Sequence, residues 1–232
     1  MSRRRGTKSL KLAAFPASLI PEPIGDYSMA LGTIDHLVIA SATLAEGVEF
    51  IQATLGVPMA GGGQHPLMGT HNRLLSLGPD IYLEVIAIDP DAARPSHARW
   101  FDLDYFTGDA RLTNWVVRVP EIEEALHRAP EGIGDVLELE RGPYRWQMAV
   151  PEDGRLPFAG CAPGLLSWQT AGPAAALPDH GLRLAALEIT HPEAEALSVA
   201  LAPLVIDQRI TLHPGAPGLS AWIDTPGGMV QL

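Results

Sequence analysis

Ile34-Asp35-His36-Leu37-Val38-Ile39 and Ile81-Tyr82-Leu83-Glu84-Val85-Ile86 open and close the stretch from Gly32 to Asp89. Each is a short apolar run rich in β-branched residues, and each carries a titratable residue, His36 or Glu84, that is costly to bury without a partner. Between them, Ser41 or Thr43 can cap a helix carrying Leu44, Val48, Phe50, Ile51 and Leu55 at helical spacing. Gly56 stops that helix just before Val57-Pro58. A short strand near Val57 to Gly61 follows. Asn72 to Leu77 and Ile81 to Ile88 then make a hairpin joined at Gly78-Pro79-Asp80. The unit reads βαβββ, and its chemistry belongs near His36 and Glu84.

The plan recurs further on. Residues 89–111 contain Trp100-Phe101-Asp102-Leu103-Asp104-Tyr105-Phe106, too aromatic for a free linker, so this connection is expected to pack onto the domain. Leu112 to Val119 is a strand. Pro120 to Ala129 is a helix with proline at its start and Glu121, Glu123 and Glu124 in its first turns. Asp135 to Arg141, Tyr144 to Val150 and Leu165 to Thr170 supply three more strands. After an Ala/Pro-rich bridge at 171–181 comes a third, shorter copy over 182–232: strand Leu182 to Thr190, helix Pro192 to Leu201, then strands near Ile210, Leu219 to Asp224 and Gly228 to Leu232. Three units of similar length form an internal repeat. The predicted fold is α+β: repeated βαβββ modules forming a curved mixed sheet around a cavity, with helices outside. Residues 32–170 make a paired core, and the third module is expected to close against that core or against a second copy, giving a homodimer.

The chain has 232 residues, 47% of them hydrophobic, and a formal net charge of −11. The acidic balance argues against nucleic acid or an anionic membrane as partner and favours a small molecule. One cysteine, Cys161, leaves neither an intrachain disulfide nor a multi-cysteine metal site, which fits a reducing, cytoplasmic setting. No apolar run approaches the ~20 residues that span a bilayer. Ser2-Arg3-Arg4-Arg5 followed by Leu10 to Ile20 is a weak export signal, interrupted by Lys11 and Pro16. Residues 1–31 are treated as a disordered or mis-annotated extension, with Met29 as an alternative start. No GxSxG elbow, P-loop or HExxH helix is present.

The motif order resembles the glyoxalase-like branch of the vicinal oxygen chelate superfamily. The resemblance rests on Ile34-Asp35-His36-Leu37-Val38, on the run Gly61 to Asn72 with Gly69-Thr70-His71-Asn72, and on Tyr82-Leu83-Glu84, Trp100-Phe101-x-Leu103-Asp104 and Leu112-Thr113-Asn114-Trp115. It covers about residues 32 to 192, and Ile223 to Leu232 resembles the last hairpin of such a module. The resemblance implies two βαβββ modules cupped around a cavity, with a divalent metal (Zn, Mn, Fe or Ni) held by a first-strand and a last-strand residue of each. His36 and Glu84 match the two ligands of module one. In module two Asn114 falls at the third position and Ser167 or Trp168 at the fourth, so the usual four-residue cage is incomplete.

For His36 the alternative to a ligand is a core histidine bonded to backbone. For Glu84, pairing Gly78 with Ile81 puts Leu75 opposite and Arg73 on the same face about 7 Å away, so an Arg73–Glu84 ion pair is the purely structural alternative. His71 shares that face in this register and could complete a set with His36 and Glu84, as ligand or as catalytic group beside Glu84. His65 reads as a loop residue over the cavity, and Gly61-Gly62-Gly63 as turn chemistry. Asn72, Asn114 and Arg145 are candidate anchors for a carbonyl or carboxylate, and Trp115 and Trp168, with Trp146, candidate pocket walls. Two functions remain open: a metal-assisted lyase, isomerase or dioxygenase acting on a small oxygenated substrate, and a metal-free protein binding a small ligand in the tryptophan-lined cup, as resistance-type relatives do.

Overall fold

β1 (Thr33–Ala40) is buried along nearly its whole length, as an apolar strand with protein on both faces must be. In the computed structural model, which describes residues 32–232, it lies near the middle of an eight-stranded sheet. The proposed extension 1–31 and the alternative start at Met29 fall outside the described residues. Module one continues with α1 (Leu44–Leu55), β2 (Ala60–His65), β3 (Thr70–Ser76) and β4 (Tyr82–Ile88). Module two is β5 (Arg111–Arg118), α2 (Ile122–Leu126), β6 (Asp135–Arg141), β7 (Tyr144–Val150) and β8 (Gly164–Trp168).

The strand order β2-β3-β4-β1-β5-β8-β7-β6 places the two modules side by side, joined by the antiparallel pair β1–β5. Within each module the first strand pairs in parallel with the last, β1 with β4 and β5 with β8. The result is a mixed, curved, nearly closed sheet with few helices, the predicted α+β architecture.

Thr43, not Ser41, caps α1: its hydroxyl accepts from the Glu46 N–H at 3.2 Å, while Ser41 bonds back to the Ile86 carbonyl. Gly56 ends the helix at φ 72°, its N–H reaching Gln52 O. Gly47 lets α1 lie close on the outer face of the sheet, since a Cβ there would sit 2.4 Å from Val85 Cγ1. α2 is only five residues long, shorter than the predicted Pro120 to Ala129.

Two local readings differ from expectation. Gly61-Gly62-Gly63 lies inside β2 rather than in a turn, with an irregularity between Ala60 and Gly63. Gly62 there takes φ 99°, and a Cβ would meet Asn72 O at 2.2 Å. The β3–β4 hairpin is also one residue out of the predicted register. Leu77 pairs with Ile81 around a three-residue loop, so Leu74 and not Leu75 lies opposite Glu84. A one-residue slip exchanges the faces of a strand. Asn72 therefore joins the Glu84 face, while His71 and Arg73 turn to the other.

The 89–111 connection packs down, burying Trp100, Phe101 and Leu103, and the partly buried Arg99–Asp104 ion pair holds it in place. Phe101 and Asp102 take φ of 59° and 56°, and Phe158 and Ala159 take 54° and 53°. For non-glycine residues such backbone costs roughly 1–3 kcal/mol each and persists only where the surroundings enforce it.

The C-terminal unit has the expected element order, β9 (Arg183–Thr190), α3 (Ala194–Leu201), β10 (Ile210–His213), β11 (Gly218–Thr225) and β12 (Gly228–Gln231). Its pairing is its own, β10-β9-β11-β12, with β9 parallel to β10 rather than to the last strand. It touches the first two modules through Gly32 N–H to Leu204 O at 2.8 Å and through the Cys161 thiol to Thr190 O. No helix among the described residues is long and apolar enough to cross a membrane.

The close approach of α1 sets a measurable expectation. Gly47→Val should lower stability by about 1–3 kcal/mol through overpacking against Val85, and Thr43→Ala by about 1 kcal/mol through loss of the cap. Urea unfolding followed by circular dichroism checks both; equal midpoints for Gly47→Val and wild type would contradict the close α1–β4 contact.

Candidate active site

A β-bulge builds the centre of the site. Between the pairs Ile34–Val117 and His36–Val116, β1 carries one extra residue, Asp35, with no partner in β5. The bulge lets two consecutive side chains meet, and His36 Nδ1 lies 2.8 Å from Asp35 Oδ2, both groups buried. Asp35 Oδ1 accepts from Trp168 Nε1 at 2.9 Å, with Arg118 Nη1 at 3.8 Å. On its other side His36 Nε2 faces Glu84 Oε2 at 3.4 Å, and the imidazole stacks on Tyr82 with 4.6 Å between ring centres.

Glu84 is held in turn. Asn72 Nδ2 donates to Glu84 Oε1, and Asn72 Oδ1 accepts from Arg141 Nη1 at 2.8 Å and from Gly63 N–H at 2.9 Å. His65 Nε2 lies 3.2 Å from Arg141 Nη1, and His65 Nδ1 3.0 Å from Thr70 Oγ1. Because arginine only donates, Nε2 is the acceptor and Nδ1–H the donor to Thr70. β2 and β6, the two edges of the sheet, thus meet through Arg141.

Charge follows from these contacts. Burial alone would depress His36, but its bonds to Asp35 and Glu84 outweigh that and hold it at about 9. Burial pushes Glu84 upward, yet His36, then His65 and Asn72, bring it down to about 2. Burial takes His65 down to about 4, opposed by Glu84 and assisted by Arg141. Burial, with Asp35 and Glu84 nearby, keeps the Tyr82 phenol protonated. At neutral pH the site therefore holds an imidazolium between two carboxylates, with a neutral imidazole at its edge.

His36, Glu84, His65, Asn72 and Tyr82 border a small chamber of about 30 Å³, room for one water-sized group, walled further by Trp100, Trp146, Met148, Leu166 and Trp168. Trp100 Nε1 is buried with no hydrogen-bond partner among the described residues. His65, Arg141 and Trp146 also border an open outer cavity of about 990 Å³, lined in addition by Gln64, Glu138, Arg145 and Gln169.

Of the residues singled out from sequence, the fold brings His36, Glu84, Asn72, Trp146 and Trp168 together here, with His65, which is the buried last residue of β2 rather than a loop residue. His71 is turned away, its Nδ1 4.0 Å from Asp89 Oδ1. Trp115 is core, donating to Cys161 O at 2.9 Å. Arg145 lies in the outer cavity, its side chain 66% exposed and paired with Glu140. Asn114 borders a different cavity. Sequence reading passed over Tyr82, Trp100 and Arg141. Tyr82 was findable, since it lies two residues before Glu84 and hence on the same face. Arg141 left no local signal, because only sheet closure brings it near.

The donor set does not fit the four-ligand metal cage. Among the described residues no three His, Cys, Asp or Glu side chains converge as a metal site. Leu37 pairs with Trp115, so Asn114 and Val116 correspond to His36 and Val38. Val38 pairs with Glu84 and Val116 with Gly164, which makes Gly164, rather than Ser167 or Trp168, the counterpart of Glu84. The fourth position has no side chain, and the third borders another cavity.

The paired βαβββ modules and the cup between them define a vicinal oxygen chelate fold. The family model described as Glyoxalase-like domain matches residues 34–205, and the chain belongs to that family. Among solved structures, a hypothetical protein from Staphylococcus aureus superposes with TM-score 0.58 at 11% identity, covering 80% of this chain and 87% of that one. Methylmalonyl-CoA epimerase from Mycobacterium tuberculosis gives TM-score 0.41 at 18% identity over 66% of this chain and 97% of its own. A Streptomyces coelicolor methylmalonyl-CoA epimerase in complex with 2-nitronate-propionyl-CoA gives 0.40 at 18%, over 62% and 100%. None of the curated proteins compared with the chain matches it.

The shifted groups predict a stability optimum. Glu84 and His65 are both depressed in the fold, so stability rises with pH through about 2 to 4.5 and about 4 to 6.5 respectively, where the unfolded chain binds more protons. His36 is raised, so its contribution is complete below 6.5 and is lost as pH climbs through about 9. Melting temperature from pH 3 to 10 should peak near 6.5 (the shared unfolded histidine value), and His36→Ala should remove the alkaline fall. Losing the imidazolium from between two buried carboxylates should also cost about 3–5 kcal/mol.

Proposed function

We propose that the chamber is the reacting end of a glyoxalase-type small-molecule enzyme, in which Glu84 and His36 move a proton on a small oxygenated substrate. The observation that carries this reading is the buried His36–Glu84 ion pair facing the chamber. Such a pair is weak support for stability, and apolar residues would fill the place at less cost. Groups with shifted protonation in a cleft are instead what proton transfer requires.

The roles follow from the contacts. Asn72 occupies Glu84 Oε1 and leaves Oε2 facing His36. A substrate carbonyl oxygen entering between them accepts from His36 Nε2–H. Removing His36 from Glu84 lifts the influence that depresses it, while burial, the largest effect on Glu84, continues to push its proton affinity up. Glu84 then takes a proton from the carbon beside the carbonyl as charge develops on the oxygen held by His36. The body of the substrate occupies the outer cavity beyond His65 and Arg141. The Asp35 carboxylate fixes the imidazole ring and keeps its charge.

A second reading, capture of a small ligand without turnover, is favoured by the apolar character of the module-two wall, Trp146, Met148, Leu166 and Trp168. Deuterium exchange separates the two. Hydroxyketones, 2-oxoacids and acyl thioesters are incubated with enzyme in D₂O, and proton loss beside the carbonyl is followed by NMR. The enzyme reading expects exchange on at least one class, falling at least 100-fold in Glu84→Gln with the fold retained. Exchange no faster in wild type than in Glu84→Gln for every compound would sink it in favour of capture. Metal analysis after loading with Zn, Mn, Fe or Ni accompanies it: stoichiometric metal in wild type that is lost in His36→Ala would replace this reading with the metal-assisted one.

A further inference from the structure

A second cavity of about 660 Å³ lies between the N-terminal half of β5, the strained connection after β4 and the start of β11. Its size is within the roughly 300–1,000 Å³ usual for small-molecule sites. Phe101 borders both this cavity and the His36 chamber and separates them. Both strained turns reach it, one through Phe101 and Asp102 and the other through Ala159.

Two features mark it as built for a ligand. Asn114 is only 4% exposed, yet its side-chain amide makes no hydrogen bond among the described residues and borders this space. The amide is not sealed in the core but opens onto the cavity, where a ligand atom would pair it. At the rim Arg111 lies over the Phe106 ring at 4.3 Å, held by the carbonyls of Thr107 and Asp109. The neighbouring Arg155 is neutralised by Asp102 at 2.9 Å, whereas Arg111 has no carboxylate partner among the described residues. An aromatic-walled cavity with one unpaired cation at its mouth and one unpaired amide inside selects a particular chemistry.

We infer that this cavity is a second ligand site, taking a planar apolar acid whose ring system lies against Phe101, Leu156 and Leu219. The acidic group meets Arg111, and a polar ring substituent meets Asn114. The site uses neither His36 nor Glu84, and it stands independently of the proton chemistry proposed for them.

The test uses the full chain and two fluorescent probes, 8-anilinonaphthalene-1-sulfonate and its uncharged relative N-phenyl-1-naphthylamine, titrated under native conditions with the melting temperature of each variant recorded. Wild type should bind the sulfonate saturably, one to one, at least tenfold more tightly than the neutral amine. Arg111→Gln, a change at an exposed position, should narrow that ratio to less than threefold. Leu219→Trp, which fills the cavity, and Asn114→Leu should each weaken the sulfonate at least tenfold, and Glu84→Gln should bind as wild type does. Absence of saturable binding, equal affinity for the two probes, or an unchanged ratio in Arg111→Gln overturns the inference. So does undiminished binding in a folded Leu219→Trp. If the two interior variants fail to fold, the Arg111→Gln ratio alone decides.

Discussion

The row Asp35–His36–Glu84, a protonated imidazole between two buried carboxylates, constrains everything around it. Three ionised groups out of water are costly, and the fold meets that cost with directed contacts: Trp168 on Asp35, Asn72 on Glu84, and Arg141 behind Asn72. Each of these comes from a different strand. The row is therefore complete only when β1, β3, β4, β6 and β8 are all in place, which ties module one to module two chemically as well as through the sheet. The bulge at Asp35 is the local device that makes it possible, because consecutive residues of a regular strand point to opposite faces.

Arg141 closes this arrangement from the far edge. The sheet runs from β2 to β6 without sealing, and one guanidinium bridges the remaining gap by donating to Asn72 and His65. Its charge helps keep His65 neutral, and so the rim between the inner chamber and the outer cavity is an uncharged imidazole beside a fixed cation. The same guanidinium thus belongs both to this rim and to the network that holds Glu84.

Module two departs from module one where the chemistry would be. Equivalent positions hold Asn114 and Gly164, and the chamber wall on that side is Met148, Leu166 and tryptophan. Module two repeats the scaffold of module one without repeating its His36 and Glu84 side chains. The C-terminal unit departs differently, keeping the order of elements while pairing β9 with β10, and its β11 helps enclose the 660 Å³ cavity that the first two modules leave beside β5.

From its residues alone this chain declares the βαβββ order, the first-strand histidine, the last-strand glutamate and the packed aromatic connection. Those are local patterns: apolar period, caps, turn residues, and a titratable group inside an apolar run. The register of β3 against β4 was not legible, because Gly78-Pro79-Asp80 admits a pairing of Gly78 or of Leu77 with Ile81, and that single residue decides whether Arg73 and His71 or Asn72 faces Glu84. The other members of the site, Arg141, Trp100 and the Asp35 contact to Trp168, are distant in sequence and meet only through curvature and closure of the sheet. Tertiary structure decided the partners, and with them the charge on His36, since the protonation of a buried group is set by what surrounds it and not by the strand that carries it.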